Sequence, residues 1–121
     1  MTDPVLDIAV LDALTASVDG DHAFVVDLIE AYLDDGAAQV DQVERAIAAS
    51  DLGALVRPAH TLKSSSATVG AAPLAAMARE LEFAGREGRT DDAQPSHAAA
   101  LRSAWDATAS ALRDWVAGGR P

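Results

Sequence analysis

The chain has 121 residues, half of them hydrophobic but only 4% aromatic, with no cysteine and a formal net charge of −10 at pH 7. This length fits one domain and excludes a cofactor domain joined to a substrate domain, and the absence of cysteine excludes disulfides, thiolate nucleophiles and cysteine-ligated zinc. Abundant alanine with few aromatic residues favours an all-α fold, and the acidic balance argues against nucleic-acid binding, which needs a broad basic surface.

Helical patterns separated by short breaks account for nearly the whole chain and predict a single domain over residues 1–121. A short first helix is predicted over residues 5–17, lying across one end of the molecule. The second helix is predicted from Asp21, a good N-cap, to about Ser50. Its apolar seam, with alternating spacings of three and four, comprises Val26, Ile29, Leu33, Gly36, Val40, Val43 and Ile47. A glycine on the seam allows a kink or a break at that point.

A third helix is predicted from its cap at Asp51 to a stop at Gly70. Pro58 lies inside this helix, where it removes one backbone hydrogen bond and is expected to bend the helix. The apolar seam comprises Leu52, Leu55, Ala59, Leu62, Ser66 and Val69. The bend would therefore fall just before residue 60, the position that carries the candidate chemistry.

Two further helices complete the predicted fold. The fourth opens with Pro73, has Leu74, Met77, Leu81 and Ala84 on its seam, and is loosened at its end by Gly85 to Gly88. After a turn at residues 90–94, the last helix opens at Pro95 or Ser96 and ends at Gly118-Gly119. Its seam comprises Leu101, Trp105, Thr108, Leu112 and Trp115. The whole predicts an antiparallel up-down-up-down four-helix bundle with an additional short N-terminal helix.

Charge is unevenly distributed along the chain. Residues 1–51 hold twelve acids against Arg45 alone, whereas residues 52–90 hold five bases against three acids and residues 91–121 three bases against four acids. The middle segment, which contains His60, is therefore the net basic one. A small cationic region on an acidic body suits one phosphoryl group better than a polyanion.

The candidate chemistry lies around His60. Lys63, the single lysine of the chain, follows one turn later and Arg57 precedes by one turn, so all three share a helix face. The seam phase places His60 at the edge of the third helix, and Ser64 and Ala67 on the same face are too small to cover its ring. A neutral imidazole can attack phosphorus while the neighbouring cations attract the arriving oxyanion.

These residues also allow other interpretations. A lone helix histidine is more often an ordinary surface residue, and this is the expectation for His22 and His97. A metal site would need a second ligand three or four residues after His60, where Lys63 and Ser64 stand, so no metal is expected. A serine nucleophile would need a positioned base, and no acid that could orient His60 lies nearby in the sequence.

At these residues the sequence resembles the histidine-containing phosphotransfer (HPt) domain family. The family pattern is a histidine, any residue, a leucine, a lysine and a small residue, usually glycine, followed by small residues and a glycine that ends the helix. The corresponding residues here are His60-Thr61-Leu62-Lys63-Ser64-Ser65-Ser66, then Gly70-Ala71, then Leu74 and Leu81-Glu82. The similarity spans almost the whole chain, with serine at position 64 as a departure from the usual glycine.

The resemblance implies a phosphorelay intermediate that carries a phosphoryl group on His60 between receiver-domain aspartates, or from a histidine kinase to a response regulator. It assigns phosphoryl stabilisation to Lys63 and places Glu82 and Arg86 of the facing helix near the histidine. Ser64 is small enough to admit a partner, and its hydroxyl is close to an incoming phosphoryl oxygen. In that family the domain has no catalytic activity of its own, and the receiver domain supplies the magnesium ion.

The expected partners are response-regulator receiver domains, a hybrid histidine kinase, or both. Docking is expected around the histidine and on the facing helix, at Val56, Arg57, Ala67, Glu82 and Arg86. No apolar stretch approaches the ~18 residues of a membrane span and no signal-peptide pattern is present, so we expect a cytoplasmic protein that does not bind membranes. We also expect a monomer, and the acidic charge predicts no nucleic-acid partner.

Two alternative functions fit the same pattern less well. One is a bundle that docks a receiver domain without accepting phosphate. The other is the dimerisation domain of a histidine kinase, in which an acid generally follows the histidine directly. Thr61 stands there instead, and the chain has no Gly-rich nucleotide site.

Overall fold

The computed structural model describes residues 4–118, and in this part of the chain all regular structure is helical. Its α-helices, in chain order, are α1 (Ile8–Ser17), α2 (His22–Ala48), α3 (Leu52–Thr68), α4 (Ala72–Glu87) and α5 (Pro95–Val116), with a 3₁₀ turn at Thr90–Asp92. The all-α prediction is confirmed. The last helix ends at Val116, two residues before the predicted Gly118-Gly119, and Gly119 lies outside the described residues.

Aspartates cap three of the helices. The side chains of Asp7, Asp21 and Asp51 accept hydrogen bonds of 3.0–3.1 Å from backbone N–H groups two or three residues later. These bonds satisfy N–H groups that have no partner inside the helix. The caps predicted for the second and third helices are confirmed, whereas the first helix begins at Ile8 and not at residue 5, because Asp7 is its cap.

Gly70 joins the start of α1 to the end of α3. Its φ is +80°, and a Cβ at this position would lie 2.7 Å from the carbonyl oxygen of Asp7. The Asp7 N–H donates a 2.8 Å hydrogen bond to the Gly70 carbonyl. Only glycine combines this left-handed conformation with such a close approach, so the predicted helix stop also anchors α1.

Helices α2 to α5 enclose a common core. Helix α2 packs against α3 and α5, helix α4 packs against the same two neighbours, and α1 packs on α2. Apolar residues from all these helices form one buried cluster. The core thus holds α3 and α4 side by side, the arrangement on which the candidate site depends.

Gly85 brings α4 close to α3. A Cβ on Gly85 would lie 2.9 Å from both the Leu52 carbonyl oxygen and Val56 Cγ2. The helix ends within the predicted range Gly85 to Gly88, but Gly85 itself lies inside it, because α4 continues to Glu87 and ends at Gly88 in the left-handed conformation. Gly85 is a packing residue.

In the first half of α2, Ile29 and Gly36 are buried as predicted, but at two positions the buried residue is one place earlier than predicted. Val25 and Tyr32 are buried, whereas Val26 and Leu33 are half-buried at the edge. Tyr32 can occupy the interior because its hydroxyl lies 2.7 Å from Ser66 Oγ and its ring packs 5.4 Å from the ring of Trp105. Burial raises the pKa of the Tyr32 hydroxyl to about 12, although the bond to Ser66 opposes that shift.

The break allowed at Gly36 does not occur, and the bend at Pro58 stays a prediction. Helix α2 passes Gly36 without a break, and a Cβ there would collide with the ring of Trp105, so this glycine makes room for a tryptophan. Pro58 is buried inside α3, which continues on both sides of it. The predicted seam residues Leu52 and Met77 lie half-buried at the core edge.

An ion cluster ties α2 to α5. Arg102 donates hydrogen bonds to Asp41 at 2.6 Å and to both carboxylate oxygens of Glu44 at 2.6 and 3.0 Å. The bonds from Arg102 lower the pKa of Glu44, and those to Glu44 and Asp41 raise the pKa of Arg102. The cluster links two helices that the apolar core also joins.

Candidate functional site

His60 lies on the solvent-facing edge of α3, as the seam phase predicted. Its side chain is 53% exposed. The small residues one and two turns later, Ser64 and Ala67, are exposed as well. The imidazole is therefore open to a group presented by another molecule.

Glu82 of α4 is the centre of the site. The residue is only 6% exposed, and its carboxylate accepts hydrogen bonds from three side chains. Oε1 lies 2.8 Å from Lys63 Nζ, while Oε2 lies 2.9 Å from His60 Nδ1 and 2.8 Å from Arg86 Nη2. A buried carboxylate is tolerated only when it is paired and hydrogen-bonded, and Glu82 is both.

The surrounding donors keep Glu82 ionised. The hydrogen bond from Lys63 has the largest effect on the carboxyl and, with those from Arg86 and His60, holds its pKa at about 2 although burial acts in the opposite direction. The side chain is therefore an anion at neutral pH.

The ionised carboxylate also fixes the tautomer of His60. A carboxylate has no proton to donate, so in their 2.9 Å hydrogen bond Nδ1 of His60 must be the donor. In the neutral ring this leaves Nε2 with the free lone pair. The geometry presents a half-exposed imidazole whose nucleophilic atom is Nε2.

The bases predicted around the histidine differ in their pairing. Lys63, 32% exposed, and Arg86, 56% exposed, are both bonded to Glu82. Arg57 is exposed, and its guanidinium makes no ion pair or hydrogen bond within residues 4–118. Of the remaining predicted positions, Ala67 is exposed and Val56 is half-buried against Gly85.

Glu82 is the acid that orients His60: the residues next to His60 in the sequence offered no such acid, whereas the family resemblance placed Glu82 near the histidine without assigning it this role. It lies 22 residues after His60 and reaches it only because α3 and α4 pack together. The available signal was Arg86, which stands one helical turn after Glu82 and can pair with it. In the described part of the chain the Ser64 hydroxyl makes no hydrogen bond to His60, so no serine nucleophile is assembled.

The imidazole is presented on an open surface. A groove of about 760 Å³ borders Lys63 and Glu82 and follows α4 past Phe83 to Arg89, but His60 does not line it.

Within residues 4–118 no three His, Asp or Glu side chains are grouped as a metal site. None of the described helices has the length and apolar character needed to cross a membrane.

The other two histidines are exposed, as predicted, and each has a structural contact. The ring of His22 lies 5.0 Å from that of Trp115. Nδ1 of His97 accepts a 3.0 Å hydrogen bond from the backbone N–H of Gln94 and so caps the start of α5. Neither has the acidic and basic partners that surround His60.

Known proteins share the fold and the sequence pattern of this chain. The crystal structure of histidine-containing phosphotransfer protein B (HptB) from Pseudomonas aeruginosa PAO1 superposes with a TM-score of 0.85 over 98% of this chain and 100% of that one, at 24% identity. No curated protein sequence matches significantly. The family model of the Hpt domain matches residues 27–115, which include α3 and α4 entirely. The chain therefore belongs to the Hpt domain family and has that family's histidine phosphotransfer role in phosphorelay signalling.

Proposed function

We propose that His60 is the phosphoacceptor and that Nε2 is the atom that carries the phosphoryl group. The observation that supports this most is the 2.9 Å hydrogen bond between His60 Nδ1 and the ionised Glu82, on a ring that is 53% exposed. The phosphoryl group moves between receiver-domain aspartates, or from a histidine kinase to a response regulator.

The transfer uses the neutral form of His60. Its Nε2 lone pair attacks the phosphorus of an aspartyl phosphate, the bond from phosphorus to the aspartyl oxygen breaks, and the aspartate leaves as a carboxylate. The ring keeps its Nδ1 proton and becomes positively charged. Glu82, already bonded to that N–H, stabilises the new charge without moving, and transfer to the next receiver reverses these steps.

The neighbouring side chains have separate roles in this proposal. Lys63 stabilises the phosphoryl group on His60 and, through its 2.8 Å bond, holds Glu82. The Ser64 hydroxyl meets a phosphoryl oxygen. Glu82 was placed among the partner contacts by sequence, but its 6% exposure makes it a positioning residue. Arg86 secures the same carboxylate.

Hpt proteins act with receiver domains and histidine kinases. We propose that this chain docks a response-regulator receiver, a hybrid kinase, or both, at the surface around His60 formed by Val56, Arg57 and Ala67. The receiver supplies Mg²⁺, and the chain acts as a phosphocarrier that needs no cofactor and has no catalytic activity of its own.

We propose that residues 1–121 form one domain, an antiparallel up-down-up-down four-helix bundle with α1 as an additional helix, which acts as a cytoplasmic monomer. The neighbour relations of α2 to α5 and the hydrogen bond from Asp7 to Gly70 support this arrangement.

A labelling experiment tests the acceptor. The wild type, His60→Gln and His22→Gln would be incubated with a phosphorylated receiver domain and Mg²⁺, with helical content checked by circular dichroism. Acid-labile label on the wild type and on His22→Gln, but not on His60→Gln, is the expected result. Equal label on His60→Gln would reject His60 as acceptor, and no label on any folded form with several receivers would favour a docking bundle.

A further inference from the structure

The bases beside His60 differ in how much of their charge is already compensated. Lys63 Nζ and Arg86 Nη2 each lie 2.8 Å from an oxygen of Glu82, so one carboxylate partly neutralises both. Their hydrogen bonds also fix them in place. An anion that approaches His60 from solvent therefore meets two cations that are already engaged.

Arg57 is in a different situation. It is exposed on α3, one turn before His60, and its guanidinium makes no ion pair or hydrogen bond in the described part of the chain. One turn further back, Gly53 has no side chain, and a Cβ there would meet only Asp51 Oδ1 at 3.6 Å. The guanidinium is thus an uncompensated charge one turn from a residue without a side chain, on the same helix face as the histidine.

We propose that Arg57 is the residue that attracts the phosphorylated partner to His60 and contacts its phosphoryl oxygens during approach. This proposal rests on the phosphotransfer function proposed above, and it separates two roles: Arg57 acts on the encounter, whereas Lys63 holds Glu82 and acts on the bound group. A guanidinium suits the first role because its planar donors match phosphoryl oxygens in pairs. Exposed charges of this kind change association rates and are screened by salt.

The test compares transfer rates at several salt concentrations. The second-order rate constant for transfer from a phosphorylated receiver would be measured for the wild type, Arg57→Gln, Arg57→Lys and Arg113→Gln. Arg113 is the matched control, because it is an exposed arginine of α5 with no ion pair within residues 4–118. The three variants all have substitutions at exposed positions, and circular dichroism would verify their folding.

We expect Arg57→Gln to lower the rate constant about fivefold at low salt, and the difference to fall below about twofold near 0.5 M salt, where charges are screened within a few ångströms. Arg57→Lys should restore most of the salt-dependent part of the rate constant, and the rate constant of Arg113→Gln should match that of the wild type. An unchanged rate for Arg57→Gln, a loss that is equal at all salt concentrations, or the same loss in Arg113→Gln would overturn the proposal.

Two further readouts separate this proposal from the phosphoacceptor assignment. At long times Arg57→Gln should reach the same final label on His60 as the wild type, because only the encounter is slowed. Equilibrium binding to the phosphorylated receiver should weaken in Arg57→Gln and stay unchanged in Arg113→Gln, whether or not label is transferred. Equal binding by all the proteins would refute the role of Arg57 even if His60 were not the acceptor.

Discussion

Replacement of Glu82 by glutamine tests whether the carboxylate that orients His60 also stabilises the fold. The pKa of Glu82 is about 2, against 4.5 for a free glutamate. At about 1.36 kcal/mol per pKa unit this shift corresponds to roughly 3 kcal/mol. The side chains of Lys63 and Arg86 are 32% and 56% exposed, so solvent screens part of the attraction. We therefore expect Glu82→Gln to lower the free energy of unfolding by about 1–3 kcal/mol at pH 7.

The sign of the shift sets the pH dependence. Because the folded pKa of Glu82 lies below the unfolded value, its contribution is complete above pH 4.5 and is lost as the pH falls towards 2. At pH 3, about one unit above the folded pKa, roughly 1.4 kcal/mol is left of the roughly 3 kcal/mol that the full pKa shift contributes before solvent screening. The other carboxyl groups titrate in both proteins. The difference between wild type and Glu82→Gln should therefore shrink by about half between pH 7 and pH 3.

Urea unfolding at pH 7, 5.5 and 3, followed by tryptophan fluorescence, measures this difference while avoiding the isoelectric point near 4.4, where association is favoured. Trp105 and Trp115 are both buried and report on loss of the core. Glu80→Gln is the matched control, because Glu80 is an exposed neighbour on α4. A difference that stays constant with pH, or an equal loss in Glu80→Gln, would refute the reasoning.

Other predictions concern the core and the ion cluster. Tyr32→Phe and Ser66→Ala should each lower the free energy of unfolding by about 1 kcal/mol by leaving a buried hydroxyl without a partner, and the double variant should cost less than their sum in urea unfolding. Arg102→Met should cost about 1 kcal/mol at low salt and less at high salt, also in urea unfolding. Gly36→Ala should lower the free energy of unfolding by about 1–3 kcal/mol in thermal unfolding, because the added methyl group must displace the ring of Trp105. The higher helix propensity of alanine offsets only part of this loss.

Each of these expectations has an outcome that contradicts it. Strict additivity in the Tyr32 and Ser66 cycle would show that their hydroxyls do not interact. An equal loss in Arg113→Met, a substitution at an exposed arginine without ion pairs in the described chain, would mean that the cluster of Arg102 contributes nothing. Unchanged stability in Gly36→Ala would show that the core accommodates the methyl group. Gly53→Ala, whose methyl group would make only an ordinary contact of 3.6 Å with Asp51 Oδ1, is the control there.

The helices that sequence predicted best are those with local start signals. Asp21 and Asp51 cap their helices, and Pro95 opens the last one, as their residue types indicate. Such signals depend on a few neighbouring residues and need no knowledge of the rest of the fold. The edge position of His60 was likewise predictable, because it depends only on the helical repeat and the apolar seam of α3.

Features that depend on contacts between helices were not predictable in the same way. The choice of Tyr32 over Leu33 for the core depends on a hydroxyl of α3 and a ring of α5, which the sequence of α2 does not reveal. Gly36 and Gly85 were interpreted as weak points of their helices because glycine has low helix propensity. In the structure Gly36 faces the ring of Trp105, and Gly85 faces the Leu52 carbonyl oxygen and Val56 Cγ2 of α3, so each missing side chain is a tertiary requirement.

The resemblance placed Glu82 near His60, but the burial of Glu82 and its role in orienting the imidazole were not predicted from the sequence. A carboxylate is expected on the surface, because burial of a charge is unfavourable unless donors surround it. Here two donors come from α3 and one from α4, so the carboxylate becomes stable only after these helices have packed. Lys63 therefore acts on His60 partly through Glu82, and a substitution at either position should alter the same hydrogen bond. Their effects on transfer should be non-additive, whereas the effect of Arg57, which makes no ion pair or hydrogen bond with either, should add to both.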